Sequence, residues 1–147
     1  MKPSHRRRAR SYAVQALYQW QMSGNSIADI EQQFIEDRPM ENVDRDYFYE
    51  LLSQVPQQLD SIEAAFGKHI DRKLNELDPV ERAILRMAVY ELLHRVDVPY
   101  KVVIDEALEQ ANENLESKVA ARSAEIQNQN ETLTKVNQEL EDSYTHF

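Results

Sequence analysis

The sequence predicts an all-α protein. In most segments apolar residues recur at the i, i+3, i+4, i+7 spacing that places them on one face of a helix. The 147 residues include only two glycines, and no segment shows the apolar–polar alternation of a half-buried strand. A chain of this length is about one domain and can bury a core without disulfides or metals.

The first predicted helix runs from Ala9 to about Met22 and grows directly out of a basic cluster. Gly24 can adopt the left-handed conformation that ends a helix. The apolar face of this helix consists of Ala13, Ala16, Leu17 and Trp20.

The second helix is predicted from its start signal. Ser26, with Asp29 three residues later, forms a capping box for a helix from Ile27 to about Glu36. The segment Arg38–Met40 contains a proline and ends this helix.

The third helix is expected to contain an interruption. Asp44 can cap it, and Gly67 is its expected end. Pro56 lies inside the helix and has no N–H to donate, so we expect a kink or a break near Gln54. The apolar stripe consists of Phe48, Leu51, Leu52, Val55, Leu59, Ile62 and Phe66.

Two further helices follow a segment, 68–77, that is predicted as a short helix or turn. Asp78 at the cap, Pro79 in the first turn and Glu81 at the third position give a clear start signal. Pro99 disfavours a helical Val98, so this helix ends before it. Its expected buried face is Val80, Ile84, Met87, Ala88 and Leu92. The last helix begins near residue 100, and its expected inward residues are Val103, Ile104, Ala107 and Leu108.

The pattern changes to heptads after residue 112. One heptad position holds Val119, Ile126, Leu133 and Leu140, and its companion holds Leu108, Leu115, Arg122, Gln129, Val136 and Ser143. No glycine or proline occurs after Pro99, so the last helix is predicted to continue into a coiled-coil segment. Arg122 and Gln129 stand where leucine is preferred, and we expect weak pairing or pairing that uses them to set the register.

Charge and composition limit the function. The net charge is -9, yet the first ten residues hold five basic side chains and no acidic one. Such a cluster favours a phosphate-bearing partner, although a solvated tail is the alternative. The chain has no cysteine, which excludes disulfides and cysteine nucleophiles, and no apolar run of about 20 residues that would span a membrane. We expect a cytoplasmic protein.

No catalytic or metal-binding pattern is present in the sequence. The four histidines show no metal-ligand spacing, and two glycines cannot build a phosphate-binding loop. The sequence therefore predicts no enzyme, no cofactor and no metal. Arginine guanidinium groups donate to phosphates in a forked geometry, so the arginine cluster, which is Arg6, Arg7, Arg8 and Arg10, favours binding instead. Tyr18 falls outside the apolar stripe and is a candidate exposed contact, whereas Trp20 is expected in the core.

Four motifs together resemble the NusB family of bacterial transcription antitermination factors. In chain order they are KPSHRRRARSYAVQALYQW, DRDYFYELL, LDPVERAILRMAVYEL and DVPYKVVIDEALEQA, from residue 1 to about residue 112. The resemblance implies an all-α fold of two small helical bundles. It also implies a protein that pairs with the ribosomal protein NusE, binds boxA-type leader RNA of ribosomal RNA operons and joins an RNA polymerase antitermination complex.

The resemblance assigns roles to individual residues by position. The residues implied to contact RNA are Lys2, Arg6, Arg7, Arg10 and Lys101, and those implied to face NusE are Tyr18 and Glu81. Glu81 is also the capping-box residue of its helix, and both roles can hold. Arg8 could equally be solvated.

The resemblance stops near residue 112. Family members continue with a K-x-F-G turn and a final helix that closes the second bundle, whereas here the segment 113–147 follows. We expect a NusB-like domain at 1–112 that is incomplete at its C-terminus, with the last family helix replaced by a long coiled-coil-like helix. This segment resembles linkers of bacterial signalling proteins. Loss of the family helix is expected to expose a groove along the helices that begin at Asp78 and Tyr100.

Three functions stay open at this point. The first is an antitermination factor that binds boxA-type RNA together with NusE. The second is a non-enzymatic helical interaction protein that forms a homodimer through residues 113–147. The third is a fused, impaired fragment of a NusB protein.

Overall fold

The computed structural model describes residues 3–67 and 76–145, and this part of the chain contains six helices and no strand. The helices are α1 (Pro3–Ser23), α2 (Ile27–Asp37), α3 (Arg45–Gln57), α4 (Leu59–Gly67), α5 (Pro79–His94) and α6 (Tyr100–Thr145). The predicted all-α class is confirmed. None of the described helices is both long enough and apolar enough to cross a membrane. Lys2, His69, His146 and most of the segment predicted as a short helix or turn at 68–77 lie outside the described residues.

The chain divides into two compact units, Met1–Ala111 and Asn112–Phe147. The first unit contains α1 to α5 and the opening turns of α6. The second unit contains the rest of α6, because this helix continues without interruption to Thr145. The expected continuous last helix is therefore present.

The predicted start and stop residues adopt the expected geometries. Gly24 has a φ of 70°, which is the left-handed conformation expected after α1. The side chain of Ser26 accepts a hydrogen bond from the backbone N–H of Asp29 at 3.2 Å. Asp44 accepts from Tyr47 N–H at 3.1 Å, and Asp78 Oδ1 accepts from Val80 N–H at 2.8 Å. Each side chain pairs a donor that the first turn of a helix leaves without a backbone partner.

Two helix boundaries differ from the sequence prediction. The first helix begins at Pro3, so the arginine cluster lies within α1 and not before it. Pro56 is accommodated in the last turn of α3, and the break falls at Gln58, whose N–H donates to Gln54 O at 2.8 Å. Because Pro56 has no N–H to donate and its ring crowds the carbonyl four residues before it, the helix ends one residue later, at Gln57.

The core of the first unit lies around α1, which packs mainly against α3 and α5. Ala9, Ala13 and Ala16 are fully buried and let the neighbouring helices approach closely. The ring of Tyr12 meets those of Phe34 and Phe48 edge-on, each at a centroid distance of 6.4 Å. Small residues on α1 and aromatic residues on α2 and α3 thus fill one continuous core.

Part of the expected apolar face of α5 and α6 is exposed. Val103 is 1% exposed, as predicted, but Ile104 is 47% exposed, Leu108 59% and Leu92 47%. The prediction that these last three are buried is wrong, because no described segment of the first unit packs over them. Their exposure agrees with the expected uncovered surface along the helices that begin at residues 79 and 100.

Candidate nucleic-acid interface

The arginine cluster occupies the first two turns of α1, and the helix divides its members between core and solvent. Arg10 is buried, Arg6 is partly buried, and Arg7 and Arg8 are exposed. This division follows from the helical period, because residue 10 precedes Ala13, Val14 and Leu17 on the buried face. The four arginines are therefore not equivalent.

Arg10 belongs to the core. Only 3% of its surface is exposed, and its Nε donates to Glu91 Oε1 at 2.8 Å. Burial opposes the charge of Arg10, but the hydrogen bond and the charge of Glu91 outweigh this effect and raise its pKa. The guanidinium is thus held charged and away from solvent. The burial of Arg10 argues against a direct contact of this residue with RNA.

Tyr47 lies beside the Arg10–Glu91 ion pair and is surrounded by three arginine side chains. Its hydroxyl donates to Glu91 Oε1 at 2.8 Å. The guanidinium carbons of Arg6, Arg95 and Arg10 lie 4.3, 5.1 and 5.4 Å from its ring centroid, within the range of cation–π attraction. Burial, reinforced by the negative charge of Glu91, raises the pKa of Tyr47, so its hydroxyl stays protonated and donates. The ring thereby fixes Arg6 at the edge of the core.

A second polar cluster, formed by Glu50, Tyr90 and Arg95, lies beside Tyr47 and joins α3 to the C-terminal end of α5. Arg95 Nη1 donates to Glu50 Oε1 at 2.8 Å, and the Tyr90 hydroxyl donates to Glu50 Oε2 at 2.9 Å. Burial and the hydrogen bond to Glu50 raise the pKa of Tyr90 to about 12. Arg95 also donates to Asp97 at 2.9 Å. Burial opposes the charge of Arg95, but the charge of Glu50 together with the hydrogen bond and the charge of Asp97 outweighs this effect and raises its pKa. Tyr90 and Arg95 therefore stay protonated at neutral pH and donate these hydrogen bonds.

Arg7 connects α1 to the beginning of α6. Its Nε and Nη2 donate to the carboxylate of Glu106 at distances of 3.0 to 3.2 Å. The Glu106 side chain is 11% exposed, while the Arg7 side chain is 58% exposed. Arg7 is therefore held by a carboxylate on α6 while more than half of its side chain remains exposed.

The arginine cluster is also joined to the loop before α3. Arg6 Nε lies 3.7 Å from Asp44 Oδ2, and Arg8 Nη1 donates to the carbonyl of Asn42 at 3.4 Å. In addition, the backbone N–H of Asp44 donates to the carbonyl of His5 at 3.0 Å. The first turns of α1 are therefore held on one side by this loop and on the other by α6.

Lys101 is exposed in the first turn of α6. It lies five residues before Glu106, the residue of this helix that holds Arg7. The structure thus places one further candidate cation on the helix that packs beside the arginine cluster. Lys2 lies outside the described residues.

The two residues expected to face a protein partner lie farther along the same unit. Tyr18 is 39% exposed, and Glu81 is exposed in the first turn of α5. Gln21 Nε2 donates to the carbonyl of Pro79 at 2.8 Å, which joins their two helices at this level. Eleven residues separate Tyr18 from Arg7, which corresponds to about 17 Å along the axis of α1.

The residues that organise the arginine cluster were missed by the sequence analysis, namely Tyr47, Glu50, Glu91 and Arg95. One signal could have identified Glu91, because it follows Ile84 and Met87 at the spacing of the buried face of α5. A carboxylate at such a position requires a buried partner. Arg10 shows the same signal on α1. Within the described ranges 3–67 and 76–145, no group of acidic and histidine side chains is arranged to hold a metal.

Comparisons of the sequence and of the structure with known proteins all match the same family. The sequence profile of the NusB family matches residues 7–122. The transcription antitermination protein NusB of Shewanella sediminis is 51% identical over 111 residues, which cover 76% of this chain and 83% of that protein. The NusB of Shewanella sp. strain MR-4 is 50% identical over the same length and coverage. A solved structure of T. maritima NusB is similar at a TM-score of 0.64 and 32% identity, covering 77% of this chain and 80% of that one.

Proposed function

This chain belongs to the NusB family, and we propose that it is a transcription antitermination factor that binds boxA-type leader RNA together with NusE. The observation that carries the proposal is the arginine cluster, in which Arg7 is exposed and held while Arg10 and Tyr47 fix the helix beneath it. The complex would then join RNA polymerase at ribosomal RNA operons. The protein has no catalytic role, as is general for the family.

The RNA-binding surface that we propose consists of Lys2, Arg6, Arg7 and Lys101. Contacts between arginine or lysine and phosphate give most of the affinity of such a surface, and forked guanidinium groups also fix its orientation. We place Arg10 beneath this surface and not in it, because it is buried and pairs with Glu91. Arg6 has less freedom than Arg7, because Asp44 and the ring of Tyr47 both hold it.

The surface that we propose for NusE includes Tyr18 and Glu81. A tyrosine contributes a rigid apolar ring with a polar end, and the carboxylate of Glu81 suits a basic ribosomal protein. The net charge of the chain is -9 although its N-terminus is basic. The rest of the chain is therefore acidic, which favours binding of a basic partner there. The distance along α1 between Tyr18 and Arg7 leaves room for RNA and protein to bind together.

Substitution of Arg7 tests the RNA surface. We expect Arg7→Gln to weaken binding of boxA RNA in the presence of NusE and to reduce the slope of log affinity against log salt by about 1. Fluorescence anisotropy over a series of salt concentrations measures both quantities. Arg45→Gln, which removes an exposed charge on α3, is the matched control and should change neither. Equal effects of the two substitutions would contradict the proposed surface.

We further propose a cytoplasmic location, where a factor of this family meets RNA polymerase. No described helix could cross a membrane, and the relatives are transcription antitermination proteins. Fractionation of cells should therefore recover the protein with RNA polymerase and ribosomes. Recovery in the membrane fraction would contradict this location.

A second proposal concerns residues 113–147, which we treat as a separate segment appended to the NusB-like domain at 1–112. Because most of its heptad positions are apolar and exposed, we propose that it forms a homodimer. Sedimentation of the full-length chain tests this, since Ile126→Glu on the apolar stripe should give monomers and Asn128→Glu on the outer face should not. A monomeric wild-type chain would contradict this second proposal.

The impaired-fragment alternative makes a different prediction. A chain whose domain cannot close should unfold without a cooperative transition, because little of its core would be packed. A cooperative thermal melt of the full-length chain, followed by circular dichroism, would exclude this alternative.

A further inference from the structure

The second unit exposes an apolar stripe along a single helix. Six of its side chains are 44% to 59% exposed: Leu115, Val119, Ile126, Leu133, Val136 and Leu140. Together with Arg122 and Gln129 they occupy every a and d heptad position from 115 to 140, and we call these eight positions the seam. An apolar stripe of this spacing requires another helix to cover it.

We propose that the seam pairs with the seam of a second copy of this chain and that the two helices run antiparallel. The inference rests on the homodimer proposed above and adds its orientation and register. A second copy of this chain carries the same seam, which has the length and the period needed to cover the first. Two features, the position of Arg122 and the distribution of charges beside the seam, decide the orientation.

Arg122 disfavours the parallel arrangement. Parallel helices in register place each d residue opposite itself, so two guanidinium groups would share one layer of the dimer core. In the antiparallel arrangement, d residues of one helix meet a residues of the other. Arg122 then meets Leu133 of the second copy, and the two arginines lie 11 residues apart along the axis, or about 16 Å.

One antiparallel register matches all eight seam positions. Val119 then meets Val136 of the second copy, Ile126 meets Gln129, and Leu140 meets Leu115. A shift by one heptad in either direction leaves two of the eight seam positions without a seam residue opposite them. Such a shift also brings Glu125 opposite either its own copy or Glu139, which adds a repulsion between like charges.

The flanking charges favour the same register. In antiparallel helices the g positions of the two chains face each other, and Lys118 and Glu139 both occupy g positions. The proposed register places Lys118 beside Glu139 of the second copy, and this pairing occurs twice in the dimer. In the parallel arrangement Lys118 would instead face Ser123, and Glu139 would face Tyr144. Only the antiparallel dimer therefore gains ion pairs across the seam.

The absence of cysteine from the chain permits a direct test by cross-linking. Full-length Val119→Cys and Val136→Cys variants with tags of different size are oxidised separately and as a mixture. We expect a disulfide between the two variants in the mixture and little cross-linking of either alone, because in the antiparallel register Val119 lies about 25 Å along the axis from its own copy. Ala121→Cys, on the outer face, controls for random collisions.

The possible outcomes separate the two proposals. Efficient cross-linking of Val119→Cys with itself would show a parallel dimer, and would overturn the orientation while leaving the homodimer intact. Cross-linking no greater than that of Ala121→Cys in every sample would overturn the homodimer as well. Adding Arg122→Leu to Val119→Cys should increase self-cross-linking, since it removes the like-charge layer of the parallel form. An unchanged yield would contradict the role given to Arg122.

Discussion

At the scale of single residues, Glu91 is the group on which the buried contacts of the arginine cluster converge. One of its oxygens accepts from both Arg10 and the Tyr47 hydroxyl, at 2.8 Å in each case, and only 1% of the residue is exposed. A buried carboxylate and a buried guanidinium are each costly alone, and pairing removes much of that cost. Glu91 therefore keeps the first turns of α1 in place.

We predict that Glu91→Ala lowers the free energy of unfolding by about 3 to 5 kcal/mol, because Arg10 would be left charged and buried without its partner. Urea denaturation measures this loss. Glu109→Ala removes an exposed carboxylate from α6 and should change the free energy by about 0.5 kcal/mol or less. A similar small effect at residue 91 would show that the ion pair does not hold α1.

The raised pKa of Tyr90 predicts that the free energy of unfolding decreases at alkaline pH. A tyrosine in the unfolded chain ionises near pH 10, whereas burial and Glu50 raise the pKa of Tyr90 in the native state to about 12. Between these values the unfolded chain has released a proton that the native state retains, so the free energy of unfolding falls as pH rises from about 10 to about 12. Its contribution is fully present below pH 10.

Denaturation at several pH values in this range measures that slope. Tyr90→Phe should make the slope shallower but not abolish it, since the pKa of Tyr47 is raised in the same direction. Tyr49→Phe, at a residue that is 52% exposed, should leave the slope unchanged. An identical slope in wild type and Tyr90→Phe would contradict the assignment.

At the scale of secondary-structure elements, local signals predicted the helices well and their packing less well. Gly24, Ser26 and Asp78 act within one turn of the chain, so their roles can be inferred from sequence alone. Burial depends on what covers a helix in three dimensions. Leu92 and Leu108 are apolar and correctly spaced, yet exposed, because no described segment of the first unit packs over them.

The beginning of α6 provides a test of the difference between an apolar residue that is buried and one that is exposed. We predict that Val103→Ala costs about 2 kcal/mol of unfolding free energy, because it leaves a cavity at a residue that is 1% exposed. Ile104→Ala, at the adjacent residue with 47% exposure, should cost about 0.5 kcal/mol or less in a monomeric Ile126→Glu background. Comparable losses at the two positions would show that a further segment covers this face of α6.

At the scale of the whole molecule, the sequence shows which residues are charged but not which residues pair with them. The basic N-terminus on an acidic chain predicted a phosphate-binding surface, and the helical period alone could have separated the buried Arg10 from the exposed Arg7 and Arg8. The pairing of Arg7 with Glu106 joins residues that are 99 positions apart. No local pattern reveals such a contact, because it depends on how α1 and α6 meet.

The most direct test of the antitermination proposal compares two RNAs of equal length and composition, boxA and a scrambled sequence, with the full-length protein and NusE. Fluorescence anisotropy at fixed salt measures both affinities, with and without NusE. We predict that the protein binds boxA more tightly than the scrambled RNA and that NusE increases the difference. Equal affinity for the two RNAs in the presence of NusE would contradict the proposal that this chain is a boxA-binding antitermination factor.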